Sequence, residues 1–436
     1  MNVIVVGTGY VGLIQGLILA EKAKLKIQFL EKDSQKIQKL KVDKKPHFYE
    51  PGLVELFKKN YKKLTFNTEL KSEALAAKNN IIFICVGTPQ SDSGEADLSY
   101  LKKAIEDIIQ ITSINKNQTT LVIKSTVPPG TTQALVNQYE TSHPHISWAM
   151  NPEFLREGVA VADGLNPDRI VLGTLSDLAY KNLKKLYSVF KKAQIVQSTP
   201  TEAELGKYAM NSLLANLISF SNEISMISEN FKNVNSHKVL ELVKMDGRWN
   251  VNGKRPSITS YLVPGPGFGG SCFPKDVAAL VFKAQQLKSP AKILSQVLQV
   301  NQDISSFTAD KIKALCPRHS KITILGLAFK PDTDDVRESP TLKIVQHLAN
   351  EFQITIHDPV AEWPGIIPSN VTLTRDLKAA LSDSNLAIVV TSWKDYLKLN
   401  DLLTVKMKNK IILDTRGYLA KQKFKKTNYL LLGHKI

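Results

Sequence analysis

Residues 2–12, NVIVVGTGYVG, join a β-branched run to three glycines and then to a helix-forming stretch, and the reading of that junction decides the fold. The run NVIVV favours a short buried strand. Gly7 permits a tight turn after it, Gly9 lets an anion approach the backbone, and Gly12 lets the helix pack close on the strand. The helix N-terminus then offers the anion unpaired N–H groups and a partial positive charge. Because the glycines sit between a strand and a helix, they predict a dinucleotide-binding turn, against the plainer reading of a structural turn in a flavodoxin-like sheet. The second strand, KIQFLE, ends in Glu31, 24 residues after Gly7. A carboxylate there accepts hydrogen bonds from an adenosine ribose and repels a 2′-phosphate, so NAD is expected over NADP, with the adjacent Lys32 working against that preference.

Outward from this junction the N-terminal part alternates strand-like runs, NIIFICVG, TTLVIKS and DRIVLG, with amphipathic stretches such as SYLKKAIEDIIQI. That alternation predicts βαβ units and a parallel sheet buried on both faces. From residue 199 to about 230 the period changes to that of one long helix, and a second helical run extends from Pro274 into VLQVNQDISSFTADKIKAL. Strand–helix alternation then resumes with KITILGLAFK, QITIHDP, LAIVVTSW and KIILDTRG. The expected fold class is α/β, with two doubly wound Rossmann-like domains at 1–198 and 318–436 joined by a central helical domain at 199–317.

Composition narrows the function classes. The 436 residues open on a strand without a basic leader, and nowhere do about 18 apolar residues run together, so a soluble, unprocessed protein with no membrane role is expected. Three cysteines, Cys85, Cys272 and Cys316, are too few and too scattered for a disulfide framework or a zinc site, which predicts a reducing compartment, the cytoplasm, and no metal. The net charge of +17 invites a nucleic-acid reading. Of the 57 basic residues only eight are Arg, which leaves 49 Lys dispersed along the chain without interleaved aromatics, the pattern of a solvated surface. No nucleic-acid partner is expected; anionic small molecules suit the same field.

The segment GPGFGGSCFPKD, 265–276, places four glycines in six residues ahead of Cys272 and sets Asp276 one helical turn beyond it. Pro274 suits the first turn of a helix, so Cys272 lies at a helix N-terminus whose partial charge favours a thiolate, with Lys275 nearby. The glycines leave room for a bulky substrate to reach the backbone and the sulfur. Cys85, in a buried strand, and Cys316, ahead of Pro317, read as packing residues. A nicotinamide domain combined with a nucleophilic thiol points from alcohol through aldehyde to acid, because a thiol is needed only when the aldehyde is oxidised further. The bland alternative makes Cys272 a small apolar residue at a loop–helix junction.

These segments, in order, resemble the UDP-glucose/GDP-mannose dehydrogenase family: GTGYVGL, YEPGL, VGTP, KSTVPPGTT, NPEFLREG, NPDRIVLG, KYAMNS, GPGFGGSCFPKD, GLAFKPDTDDVRESP and DTRG. The resemblance covers nearly the whole chain. It implies a four-electron oxidation of a nucleotide sugar's C6 alcohol to a carboxylate, with two NAD⁺ and no metal. It implies Cys272 as nucleophile, Lys207 and Asn211 as stabilisers of oxyanions at C6, and Asp276 as the residue that with Lys207 orders or deprotonates a water. Thr126 and Glu153 are implied around that water, Glu153 as the base of thioester hydrolysis. The implied dinucleotide site comprises Gly7, Gly9, Tyr10, Val11, Gly12, Glu31, Thr88, Thr126, Glu157 and Lys275. The implied nucleotide-sugar site comprises Glu153, Phe154, Leu155, Lys207, Asn211, Phe268, Gly269, Lys330 and Arg416, with Arg248 reaching the partner subunit's site in a homodimer or higher oligomer built through the central helices. Taken without the resemblance, Lys207 and Asn211 read first as a solvated helix face and Thr126 as a turn residue.

Arg156, Arg169, Arg248, Arg337 and Arg416 fall in or beside these motifs, which suits anion recognition, although Arg337 among its acidic neighbours reads first as a structural ion pair. Two departures from the family pattern stand out. Leu217 occupies a position that is basic in many relatives, and the segment WNVNGKRPSITS, 249–260, is longer than the common version, leaving Arg255 as an alternative to Arg248. UDP-glucose is the expected substrate, with GDP-mannose or a UDP-N-acetylhexosamine the alternative within the class. A hydride-only hydroxyacid dehydrogenase and a basic nucleotide-binding module without catalysis are the alternatives outside it.

Overall fold

The computed structural model describes residues 1–435. The chain divides into two compact units, Met1–Met210 and Asn211–Ile436. The first is built on eight strands: β1 (Asn2–Val6), β2 (Ile27–Leu30), β3 (Leu64–Asn67), β4 (Asn79–Ile84), β5 (Gln118–Ile123), β6 (Ile146–Met150), β7 (Arg169–Thr174) and β8 (Gln194–Ser198). Their order is β3-β2-β1-β4-β5-β6-β7-β8. Pairing is parallel from β3 to β6, turns antiparallel between β6 and β7, and is parallel again to β8. Alternate residues serve opposite faces: Val3, Val5, Ile81 and Phe83 enter one apolar core, while Ile4, Ile82, Ile84 and Ile123 enter another. Burying each such side chain contributes about 1.5–3 kcal/mol, so a one-residue slip in register would lose both cores at once.

The Pro200–Ser228 helix, 29 residues long, runs across the division. The second unit continues through helices Ser236–Lys244, Phe273–Gln286 and Lys292–Leu315 into a six-stranded, wholly parallel sheet. Its strands are β9 (Lys321–Leu325), β10 (Gln353–His357), β11 (Val371–Thr374), β12 (Leu386–Val389), β13 (Ile411–Asp414) and β14 (Asn428–Leu431), in the order β11-β10-β9-β12-β13-β14. One largely parallel and one wholly parallel sheet with a helical middle agree with the α/β expectation; the antiparallel β6–β7 pair departs from the all-parallel sheet expected for the first domain. The helical run expected from Pro274 onward is broken, because Lys288 takes a left-handed φ of 55° and Pro290 follows it ahead of Lys292–Leu315. Among the described residues no helix is long and apolar enough to cross a membrane.

Candidate active site

The mouth of the first sheet is a cradle. Gly7 has φ +91°, and a Cβ added to it would lie 2.7 Å from the Cys85 carbonyl oxygen. A Cβ on Gly12 would meet the Gly7 carbonyl oxygen at 2.0 Å, so the close helix–strand approach requires glycine there as well. Gly9 has nothing within 4 Å of its missing Cβ, the open space that a pyrophosphate needs. The helix Tyr10–Lys22 begins at the next residue, with Val11 packed on the core. Glu31 follows β2, and its Oε2 accepts from the Thr8 N–H at 2.9 Å and the Thr8 hydroxyl at 2.8 Å, while Oε1 accepts from the Asp33 N–H at 3.1 Å. Burial opposes its ionisation, but these donors prevail and hold Glu31 below the ordinary carboxylate range. Lys32 is drawn away to Asp107, 2.6 Å distant, so it does not neutralise Glu31. The residues present therefore fit NAD.

Two contacts tie this cradle to its surroundings. The Tyr10 hydroxyl donates to Glu50 at 2.6 Å, and Glu50 also accepts the Gly158 and Ala160 N–H groups at 2.7 Å each. Burial, with Glu50, Glu157 and Glu153 nearby, pushes the Tyr10 phenol up. The Thr88 hydroxyl donates to the Thr126 carbonyl at 2.8 Å. Glu50, in the YEPGL motif, had no role assigned from sequence; an acid one residue before a proline turn gives no hint that it clasps a distant backbone.

Glu153 and Lys207 form a buried ion pair of 2.9 Å within the first unit. The other Glu153 oxygen accepts the Leu155 N–H at 2.6 Å. Burial works against the carboxylate, yet the Lys207 charge and hydrogen bond outweigh it and hold Glu153 ionised, below its ordinary range. The Phe154 ring carries Arg169 at 4.0 Å and Lys207 at 5.6 Å from its centroid. Arg156 instead makes a fork to Asp163, with contacts of 2.9 and 2.6 Å.

In the second unit Cys272 occupies the N-cap of Phe273–Gln286, with Pro274 in the first turn. It is half-buried, and its sulfur lies 3.6 Å from the Ser271 hydroxyl. The Asp276 N–H closes the first turn on the Cys272 carbonyl at 2.9 Å. The fully buried Asp276 carboxylate accepts from the Asn211 amide at 2.6 Å and from Lys275 at 2.5 Å. Burial pushes the other thiols up, Cys85 to about 12 and Cys316 to about 11, and the three thiols are not cross-linked. Of the three, only Cys272 combines partial exposure with a helix N-terminus.

The glycine loop ahead of Cys272 is strapped by amides. Asn222 accepts the Gly265 N–H at 2.9 Å; Asn301 accepts the Phe268 N–H at 2.7 Å and returns a bond to the Phe268 carbonyl at 3.0 Å. Two of the glycines answer to the chain itself, since a Cβ on Gly269 would meet the Glu338 carbonyl oxygen at 2.2 Å and one on Gly270 would meet the Phe329 ring at 2.7 Å. Gly265 faces Arg416, whose guanidinium would lie 3.1 Å from an added Cβ. Arg416 donates to the Val390 carbonyl at 2.6 Å; burial draws its pKa down to about 10, which leaves it cationic at neutral pH. Lys330 lies over the Phe329 ring at 5.5 Å. Arg337 pairs with Asp335, as its acidic neighbours suggested, and Arg248 and Arg255 pair with Asp246 and Glu241. Leu217 is half-buried. Among the described residues no cluster of His, Cys, Asp or Glu could hold a metal ion.

Three family models match the chain in succession. The NAD-binding domain of the UDP-glucose/GDP-mannose dehydrogenase family matches residues 1–191, its central domain 201–303 and its UDP-binding domain 323–421. The chain belongs to the UDP-glucose/GDP-mannose dehydrogenase family. It is accordingly an NAD-dependent dehydrogenase of the nucleotide-sugar class. A UDP-glucose 6-dehydrogenase of Bacillus subtilis is 36% identical over 441 residues, covering 98% of this chain and 92% of that protein. A UDP-glucose dehydrogenase structure from the hyperthermophilic archaeon Pyrobaculum islandicum superposes with a TM-score of 0.88 at 33% identity, covering 100% of this chain and 98% of that one. A UDP-D-ManNAc dehydrogenase from Pyrococcus horikoshii gives a TM-score of 0.83 at 26% identity, covering 99% of both chains. Proteins named for different sugars thus share the whole architecture.

Proposed function

We propose that the chain oxidises UDP-glucose at C6 to UDP-glucuronate through a covalent intermediate on Cys272. What carries the proposal is the setting of that thiol: half-exposed at a helix N-terminus, beside the Asn211–Asp276–Lys275 cluster, in a chain whose other two thiols burial keeps protonated. Residues 1–198 would hold NAD⁺ on Gly7, Gly9, Tyr10, Val11, Gly12, Glu31, Thr88, Thr126 and Glu157, with Lys275 from the cysteine loop as a further contact. Residues 199–317 would carry the cysteine loop, and residues 318–436 the nucleotide sugar, with Lys330 and Arg416 on the UDP and Phe154, Leu155, Phe268 and Gly269 along the sugar diphosphate. NAD⁺ supplies the hydride acceptor for both oxidations.

The roles of the side chains follow from their charge. Asp276, an acceptor already ordered by Asn211 and Lys275, takes the first proton through a water as the alcohol becomes an aldehyde. The Cys272 sulfur then adds to C6, and Lys207 and Asn211 supply a cation and an N–H donor to the oxyanion. Loss of a second hydride leaves a thioester. Glu153, ionised and ordered by Lys207 and the Leu155 N–H, deprotonates the water that attacks the thioester, with Thr126 beside it, and the thiol is released. Per sugar, one alcohol and one water become one carboxylate, two hydrides and three protons. The relative from Bacillus subtilis favours UDP-glucose; the UDP-D-ManNAc dehydrogenase likeness supports a UDP-N-acetylhexosamine as a second reading. We further propose a homodimer or larger assembly, with Arg248 offered to the partner, because Leu213, Phe220 and Ile227 stand exposed seven residues apart on the Pro200–Ser228 helix. The cytoplasm, a reducing compartment, would keep the thiol available.

The test is the yield of NADH per UDP-glucose consumed with NAD⁺ in excess. Two per sugar supports the four-electron reaction, whereas one would stop it at the aldehyde and remove the role given to Cys272. No turnover of UDP-glucose alongside turnover of a UDP-N-acetylhexosamine would move the substrate to the second reading.

A further inference from the structure

Lys124 directly follows β5 and opens the KSTVPPG segment, two residues before Thr126. It is 5% exposed, which is unusual for an ammonium. Its Nζ donates to the Asn151 carbonyl at 3.3 Å and to the Asn151 side-chain oxygen at 3.1 Å. Asn151 is held from every side. Its N–H bonds the Ile123 carbonyl at 2.9 Å, its amide donates to the Val171 carbonyl at 2.8 Å, and its Oδ1 also accepts the Tyr187 hydroxyl at 2.6 Å. Gln15 donates in turn to that Tyr187 oxygen at 3.0 Å, so the chain of buried bonds reaches back to the Tyr10–Lys22 helix. Glu153 stands two residues beyond Asn151.

The groups that act on the ammonium are few. Burial draws the Lys124 pKa down to about 8; Cys85 at the end of β4 and Glu153 after β6 favour its charge, and Lys207 from the Pro200–Ser228 helix opposes it. The effect is mutual, for Lys124 adds to Lys207 in holding Glu153 ionised. A buried ammonium that hydrogen-bonds only neutral acceptors among the described residues is costly to keep, and an apolar side chain would fill the same space more cheaply. The ammonium is held on Asn151, two residues before Glu153, and its influence on that carboxylate accounts for its presence.

We propose that Lys124 is a positioning residue for Glu153: its ammonium ties the 151–153 segment to the end of β5, and its charge sets how readily the Glu153 carboxylate takes a proton. This rests on the reading of Glu153 as the base of thioester hydrolysis. A nearby cation stabilises the ionised carboxylate, so neutralising Lys124 raises the pKa of Glu153 and moves the acid limb of hydrolysis to higher pH.

The experiment follows the hydrolysis phase across pH, as acid product released after rapid mixing of enzyme, UDP-glucose and NAD⁺, in wild type, K124M, K124Q, K124R and E153Q. The expected result is an acid limb displaced upward by about one pH unit in K124M and K124Q, held within a few tenths of a unit in K124R whatever its rate, and erased in E153Q. K124Q keeps a donor to Asn151 and carries the test should K124M fail to fold. An undisplaced limb in a folded neutral variant, with E153Q still erasing it, would overturn the inference and leave the reading of Glu153 standing. An equal displacement in K124R would overturn the role of the charge. A limb that survives in E153Q would remove the reading of Glu153 as base and the inference with it.

Discussion

At the end of β1 the chain crosses residues 7–9 and enters a helix; at the end of β9, in the same place of the six-strand order that the two sheets share, it crosses 326–339 before the helix Pro340–Leu348 begins. Both crossings start with a glycine of positive φ, +91° at Gly7 and +108° at Gly326. Both are followed by an acid after the second strand. Glu31 is half-exposed and spends its oxygens on three local donors. Asp358 is fully buried and accepts five N–H bonds, from Leu327, Ala328, Val360, Ala361 and Trp393. The first mouth thus presents a helix N-terminus and an accessible carboxylate, suited to a pyrophosphate and a ribose. The second uses its acid to brace a long loop, which carries Lys330. One strand order thus carries two differently built crossings, a short one that leaves its acid accessible and a long one that buries it.

The sharpest test pairs the two glycines. Gly7→Ala should raise KM for NAD⁺ about a hundredfold or more, since the new Cβ must displace the Cys85 carbonyl from 2.7 Å. Gly326→Ala, whose Cβ would meet Thr391 at 2.3 Å, should lower the melting temperature and leave KM for NAD⁺ unchanged; steady-state kinetics with thermal unfolding separates the two. Next come the acids. Asp358→Asn should cost about 2–3 kcal/mol of stability in urea titration, because an amide NH₂ then faces N–H donors, again without touching NAD⁺. Glu31→Gln should do the reverse, raising KM for NAD⁺ about tenfold and narrowing the preference over NADP⁺ with little change in stability. A loss of NAD⁺ affinity in Asp358→Asn equal to that in Glu31→Gln would break the comparison. The smallest perturbation is chemical: iodoacetamide on the native enzyme at pH 8 should label the Cys272 peptide and spare those of Cys85 and Cys316, whose thiols burial has pushed up to about 12 and 11. Mass spectrometry of the peptides reads the outcome.

The parts of this fold that were legible in the sequence are those with strong local periodicity. The runs NVIVV and NNIIFI declare β1 and β4 because parallel strands buried on both faces are continuously apolar. The strand β3, LTFN, alternates buried and exposed residues over only four positions at the sheet edge, and β14 is as short, so neither rises above the surrounding loops. The helix break at 287–291 had a local sign, the proline in LKSPA, which the strong apolar periods on either side concealed. The site divides in the same way. Cys272, Asp276 and the glycines stand out by residue type and spacing. Lys124, Glu50, Asn222 and Asn301 do not, because a lysine among 49 and two amides within helices acquire meaning only through what buries them.

The central claim, a covalent intermediate on Cys272, is tested most directly by acid-quenching Glu153→Gln during turnover of UDP-glucose with NAD⁺ and measuring the intact protein mass. The account predicts an adduct of one UDP-glucuronyl group per chain, mapped to the Cys272 peptide and absent from Glu153→Gln/Cys272→Ser. Acid formation at an undiminished rate by Cys272→Ser alone, with no adduct on any peptide, would contradict it.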